Sequence, residues 1–138
     1  MPQLNAYLNF TGNCRDAMSF YQQCLGGELK MMTFGESPMG AQLPAESQQS
    51  IMHAQLVTSD FTMMASDSMQ GPVINGNSVN LSLNCNSEAE IDGLFAAIAE
   101  GGQVTMPLAD QFWGAKFGML TDKFGINWMM NFERAPQA

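Results

Sequence analysis

The strongest constraint on this chain is that its sequence repeats itself. Shifted by about 75 residues, Leu8-Asn9, Phe20 and Gly26-Gly27 fall on Leu83-Asn84, Phe95 and Gly101-Gly102, and Leu29 falls on Val104. Further along, Leu56 falls on Leu120 and Met63-Met64 fall on Trp128-Met129, at a shift nearer 65. The smaller shift means that the second copy has a shorter loop after its first hairpin strand. Each copy must therefore build the same order of elements, and that order can be read from the better-marked segments.

Two helices are well marked. In NCRDAMSFYQQCLGG, Asn13 is a good N-cap and Asp16 places a negative charge where the helix dipole favours it. Cys14, Ala17, Met18, Tyr21 and Cys24 recur at helical spacing, and Gly26-Gly27 end the run. In SEAEIDGLFAAIAEGG, Ser87 and Glu90 have capping-box spacing, and Ile91, Leu94, Phe95 and Ile98 form the apolar stripe. Strand candidates are residues 4–10, 28–34, 51–58 and 61–66 in the first copy, and 78–85, 103–108, 115–121 and 126–132 in the second. Each copy thus reads βαβββ. Residues 35–50 have no strand or helix period and are expected to be loop. The whole chain is expected to be one α+β domain of two repeats, with a first module at 1–66, a linker at 67–77 and a second module at 78–138. The linker would allow modules to pair within one chain or between chains.

A βαβββ unit of this size buries too little surface to be stable alone. Its helix covers one sheet face and the other needs a partner. Pairing two curved mixed sheets would enclose a shared cleft, a common setting for ligand pockets. Composition narrows what that cleft could meet. The chain has 138 residues, 46% apolar, 13% charged, with a net charge of −8. Nucleic acid is disfavoured, because binding phosphates needs clustered cations, and an anionic membrane is disfavoured for the same reason. No apolar run approaches the roughly 20 residues of a membrane span, and the N-terminus lacks a signal-peptide pattern. Cys14, Cys24 and Cys85 are an odd number without a CxxC, which suits free thiols in the cytoplasm.

The segments YLNFTGNCRDAMSFYQQCLGGEL, HAQLVTSDFTMMASD and TMPLADQFWGAKFGMLTDKFGINWMM resemble the glyoxalase/bleomycin-resistance (vicinal oxygen chelate) superfamily, and within it the PhnB-like subgroup. The WG pair before a strand (Trp113-Gly114) and the D-x-F-G turn leading into the strand INWMM carry the subgroup resemblance, which covers nearly the whole chain. A methyltransferase label sometimes given to that subgroup finds little support, since the GG pairs follow helices and no glycine-rich loop precedes one.

The resemblance also implies where a divalent ion would sit: at Asn5 or Ala6, at Met64, at Asn80 and at Met129. None is His, Asp or Glu, so no metal site is expected there, and no cofactor. His53, the single histidine, is the candidate acid/base or ligand-orienting group, and Asp67 is its candidate partner or a turn cap. Asn80, Ser82 and Asn84 alternate on one strand, and Asn127, Met129 and Asn131 on another, which could floor the cleft. Tyr7, Phe112 and Trp113 could supply aromatic walls, and Trp128 either a wall or core. Cys14, at a helix start, is either activated or buried.

The leading expectation is a metal-independent small-molecule-binding protein. It would sequester or bind an apolar or aromatic compound in the inter-module cleft, using Tyr7, Met64, Asn80, Ser82, Phe112, Trp113, Asn127 and Met129. The rival is a metal-dependent lyase, isomerase or dioxygenase with a displaced site using His53 and Asp67. A third is an interaction protein with a filled cleft. Relatives implied by the resemblance are often dimers, so a homodimer is expected.

Overall fold

The computed structural model describes residues 2–134 and resolves two compact units, dividing between Ile74 and Asn75. That division falls inside the segment read as a linker. Each unit contains one helix of 12 residues and one four-stranded mixed sheet.

In the first unit, β1 (Ala6–Phe10) leads to α1 (Cys14–Leu25), then β2 (Glu28–Thr33), a short helix α2 (Ala45–Gln48), β3 (Ile51–Val57) and β4 (Thr62–Asp67). The strand order is β1-β4-β3-β2; β1 runs parallel to β4, and the other pairs are antiparallel. The second unit repeats this with β5 (Leu81–Asn84), α3 (Glu88–Ala99), β6 (Gln103–Asp110), β7 (Ala115–Thr121) and β8 (Asn127–Glu133), in the order β5-β8-β7-β6. Register matches the sequence repeat: Ala6 pairs with Met63 where Leu81 pairs with Trp128, and Leu56 pairs with Met63 where Leu120 pairs with Trp128.

Alternation assigns the two faces of each sheet. Under α1 lie Phe10, Ala54, Leu56, Met63 and Ala65, packed with Ala17, Met18 and Tyr21 of the helix, all buried. Under α3, Leu120, Trp128 and Met130 pack with Ile91, Phe95 and Ile98. The helix comes so close to β7 that a Cβ on Gly118 would lie 2.9 Å from the Phe95 ring, which explains glycine there. Burying side chains of this size stabilises each by about 1.5–3 kcal/mol, so these two layers are the dominant apolar cores of their units. No helix among the described residues is long and apolar enough to cross a membrane.

Three local expectations need correction. Residues 35–50 are not structureless: short 3-10 turns at Phe34–Glu36 and Gly40–Gln42 precede α2, and Thr33 and Glu36 close a capping box. Asn13 makes no side-chain cap bond to α1. Its role passes to Asp67, at the end of β4, whose carboxylate accepts from Cys14 N at 2.9 Å and from Ile51 N at 2.8 Å. At α3, Ser87 does accept from Glu90 N, but Glu90 accepts from Asn86 N, one residue earlier than expected.

Asp67 thus ties the helix start, the start of β3 and the end of β4 from a buried position. Asp67→Ala leaves two backbone donors without their partner, and the expected loss is about 2–4 kcal/mol of unfolding free energy. Urea unfolding measures it; a change below about 0.5 kcal/mol, the size of an ordinary surface substitution, contradicts the structural role.

Candidate functional site

The face of each sheet opposite its helix is only partly buried, and most of the candidate residues lie there. In the first unit this open face carries Tyr7 on β1, Met64 and Ser66 on β4, and His53 and Gln55 on β3. Met64 stands between Tyr7 and Gln55 in the pairing. Tyr7, 46% exposed, reaches across β4 so that its hydroxyl lies 3.5 Å from His53 Nδ1, with ring centroids 6.0 Å apart. Beside this pair, Ser66 Oγ donates to Asn9 Oδ1 at 3.4 Å. The face therefore offers an imidazole, a phenol, amides and a thioether.

The second unit's open face carries Ser82 and Asn84 on β5, Met129 and Asn131 on β8, and Phe117 and Met119 on β7. Met129 pairs with Ser82 on one side and Met119 on the other; Asn131 pairs with Asn84 and Phe117. Asn80 is half-buried just before β5 rather than within it. Asn127 shares the face, but its carboxamide is occupied: it donates to the carbonyls of Gly76 and Val79 and accepts from Thr121. It holds the segment ahead of β5 in place. Phe112 and Trp113 form the tip of the β6–β7 hairpin, stacked edge-on at 5.1 Å and exposed at 96% and 54%. Trp113 also meets Phe117 edge-on at 6.1 Å. Phe117 and Met119 escaped the sequence reading, although their alternation on one strand was the signal. Trp128 is core: its indole N–H donates to the buried Asp122 carboxylate at 2.8 Å.

Asp67 and His53 are not brought together. Asp67 points to the helix-covered face with both oxygens bonded to backbone amides, whereas His53 points to the open face. Asp67 is a structural tie, so His53 must find its partner in Tyr7. Cys14, read as either activated or buried, is fully buried. Burial, and secondarily the nearby Asp67 carboxylate, push its thiol up to about 12, overriding the helix terminus. Cys85 is raised to about 11, again mainly by burial. Neither is a nucleophile at neutral pH.

The implied metal positions fit an ion poorly. Ala6 pairs with buried Met63 on the covered face, so alternation assigns the first position to Asn5. The implied positions then carry an amide and a thioether in each unit, unlike the imidazole and carboxylate that Zn, Ni or Fe prefer. Among the described residues, no three of His, Cys, Asp or Glu are grouped so that they could hold a metal ion.

With two βαβββ units, mixed four-stranded sheets and a partly uncovered face in each, the chain belongs to the glyoxalase/bleomycin resistance protein/dioxygenase superfamily, whose family model matches residues 3–130. Among its relatives, protein YjdN of Escherichia coli is 36% identical, with 93% of each chain covered. The crystal structure of protein PA1353 from Pseudomonas aeruginosa has a TM-score of 0.86 at 49% identity, covering 96% of this chain and 98% of that one. A PhnB protein from Bacillus cereus, at 24% identity and TM-score 0.72 over 95% and 99% of the two chains, shares the fold.

A phenol is a better donor than acceptor towards an imidazole nitrogen. The expected arrangement therefore has Tyr7 donating to Nδ1, with the ring proton of His53 on Nε2. Because the chain has one histidine, ¹⁵N NMR reads this ring without assignment. The expected spectrum is that of the Nε2–H tautomer, shifting towards a mixture in Tyr7→Phe. A predominantly Nδ1–H ring, or no change in the variant, contradicts the pairing.

Proposed function

We propose that this protein is a metal-independent small-molecule-binding member of its superfamily, which binds or sequesters an apolar or aromatic compound on the open sheet faces. The supporting observation is the chemistry of those faces. Met64, Met119, Met129, Phe117 and Tyr7 offer polarisable and aromatic surface, which suits planar or apolar compounds. His53, Ser82 and Asn80 supply a few hydrogen bonds that fix orientation, the usual composition of a ligand site. At the positions where an ion would be held, amide and thioether donors stand instead.

With the Nε2–H tautomer, His53 presents a donor, so the compound should offer an oxygen or nitrogen acceptor to it. Phe112 and Trp113, at the tip of their hairpin, add an exposed aromatic edge. We further propose that the protein is a homodimer and that it acts in the cytoplasm, the latter in keeping with three cysteines that form no disulfide among the described residues.

Purified native protein should contain metal far below one equivalent and should carry a small organic compound detectable by native mass spectrometry. His53→Ala should weaken that compound's binding by about tenfold, or about 1.4 kcal/mol, the value of one good hydrogen bond. Stoichiometric Zn, Ni or Fe would overturn the proposal in favour of a metal-dependent lyase, isomerase or dioxygenase.

A further inference from the structure

At one end of the second unit's open face is a hollow of about 400 Å³, lined by Asn84, Cys85, Asn86, Asn131, Phe132 and Glu133. It lies where the parallel strands β5 and β8 finish side by side, since Asn84 pairs with Asn131. Its lining is mostly polar, and three of the six residues are asparagines. Among the described residues, none of these three carboxamides has a hydrogen-bond partner, and Glu133 has no ion pair. The backbone here is already satisfied: Cys85 N donates to the Asn131 carbonyl, and Asn86 N donates to Glu90. The side chains are therefore free to face a ligand.

The nearest cation does not neutralise Glu133. The guanidinium of Arg134 is held by Asp110 at 2.8 Å and Glu88 at 3.3 Å, and lies over the Phe132 ring at 5.8 Å. Those hydrogen bonds, first to Asp110 and then to Glu88, raise its already high pKa further, so it stays charged and engaged. Lys116 is similarly held by Asp92 and Glu88. The lining thus brings one carboxylate and three carboxamides, each of these with an acceptor oxygen and an N–H donor group, and no cationic side chain. Ionised carboxylate accepts only, and carboxamide oxygens can add two or three further bonds. A group rich in N–H and bearing positive charge satisfies this set. An anion would meet Glu133 at close range within a chain of net charge −8.

We propose that this hollow is a subsite for an organic ammonium group, recognised by Glu133 and the carboxamides of Asn84, Asn86 and Asn131. The inference rests on the open faces being the binding surface, and it adds the charge of one part of the ligand.

The test is a titration of ¹⁵N-labelled full-length protein with n-propylammonium, n-propanol and propionate, following the side-chain amide signals of the three asparagines. Propylammonium should shift all three saturably. Propanol should bind at least about tenfold more weakly, and propionate should leave them unmoved. Glu133→Gln should weaken propylammonium binding about tenfold, while Asn131→Ala, checked for an unchanged fold by its backbone spectrum, should weaken it less. Equal binding of propanol or propionate, an unaltered affinity in Glu133→Gln, or no saturable shift overturns the subsite. If the asparagine signals stay silent while a copurified compound still depends on His53, the subsite fails and the broader proposal stands.

Discussion

One helix can cover only one face of a four-stranded sheet, and the rest of this structure follows from that limit. Alternation along a strand sends successive side chains to opposite faces, so each strand carries two vocabularies. Met63 is buried under α1 and Met64 next to it is not; Met130 is buried under α3 and Met129 next to it is not. The covered faces are filled with large apolar groups in contact with helix. The open faces mix thioether, aromatic, amide, hydroxyl and imidazole. A surface left uncovered by its own unit, and composed like a ligand site rather than like a core, is where function is most economically sought.

Within each unit a buried carboxylate secures the arrangement. Asp67 joins α1, β3 and β4 through backbone amides. In the second unit Asp122 accepts from Phe124 N, Ile126 N and the Trp128 indole, closing the turn into β8. A carboxylate that accepts several N–H bonds is costly to replace, and both are buried in these structural roles. This separates His53 from the one acidic residue that sequence order suggested for it. Its companion is instead the phenol of Tyr7, which lies far away in sequence and on the same face.

The repeat was legible because it is written in spacing: helix stripes, glycine pairs and matching strand positions survive without any knowledge of contacts. The 75-residue shift inferred from Leu8 and Leu83 is the same shift that relates Ala6 to Leu81 in the strand register. What could not be read were contacts between distant residues. Asn13 has the right chemistry for a cap, but Asp67 reaches the same amide from another strand. Residues 35–50 hold short helical turns stabilised by local bonds such as Thr33 with Glu36, which leave no periodic trace. The polar character of Asn127 suggested ligand contact, yet its carboxamide is taken by Gly76, Val79 and Thr121. Cys14 illustrates competing effects: position in a helix predicts activation, and burial outweighs it.

The central claim, that the open faces bind an organic compound without an ion, is tested most directly by methionine methyl NMR. Met64 and Met129 report the open faces, and their neighbours Met63 and Met130 report the cores as internal controls. Addition of the copurified compound to protein freed of it should move the Met64 and Met129 methyl signals and leave Met63 and Met130 nearly still, with no response to Zn²⁺ or Ni²⁺. Stoichiometric metal moving Met64 and Met129 together, or the compound moving only the core pair, would contradict the account.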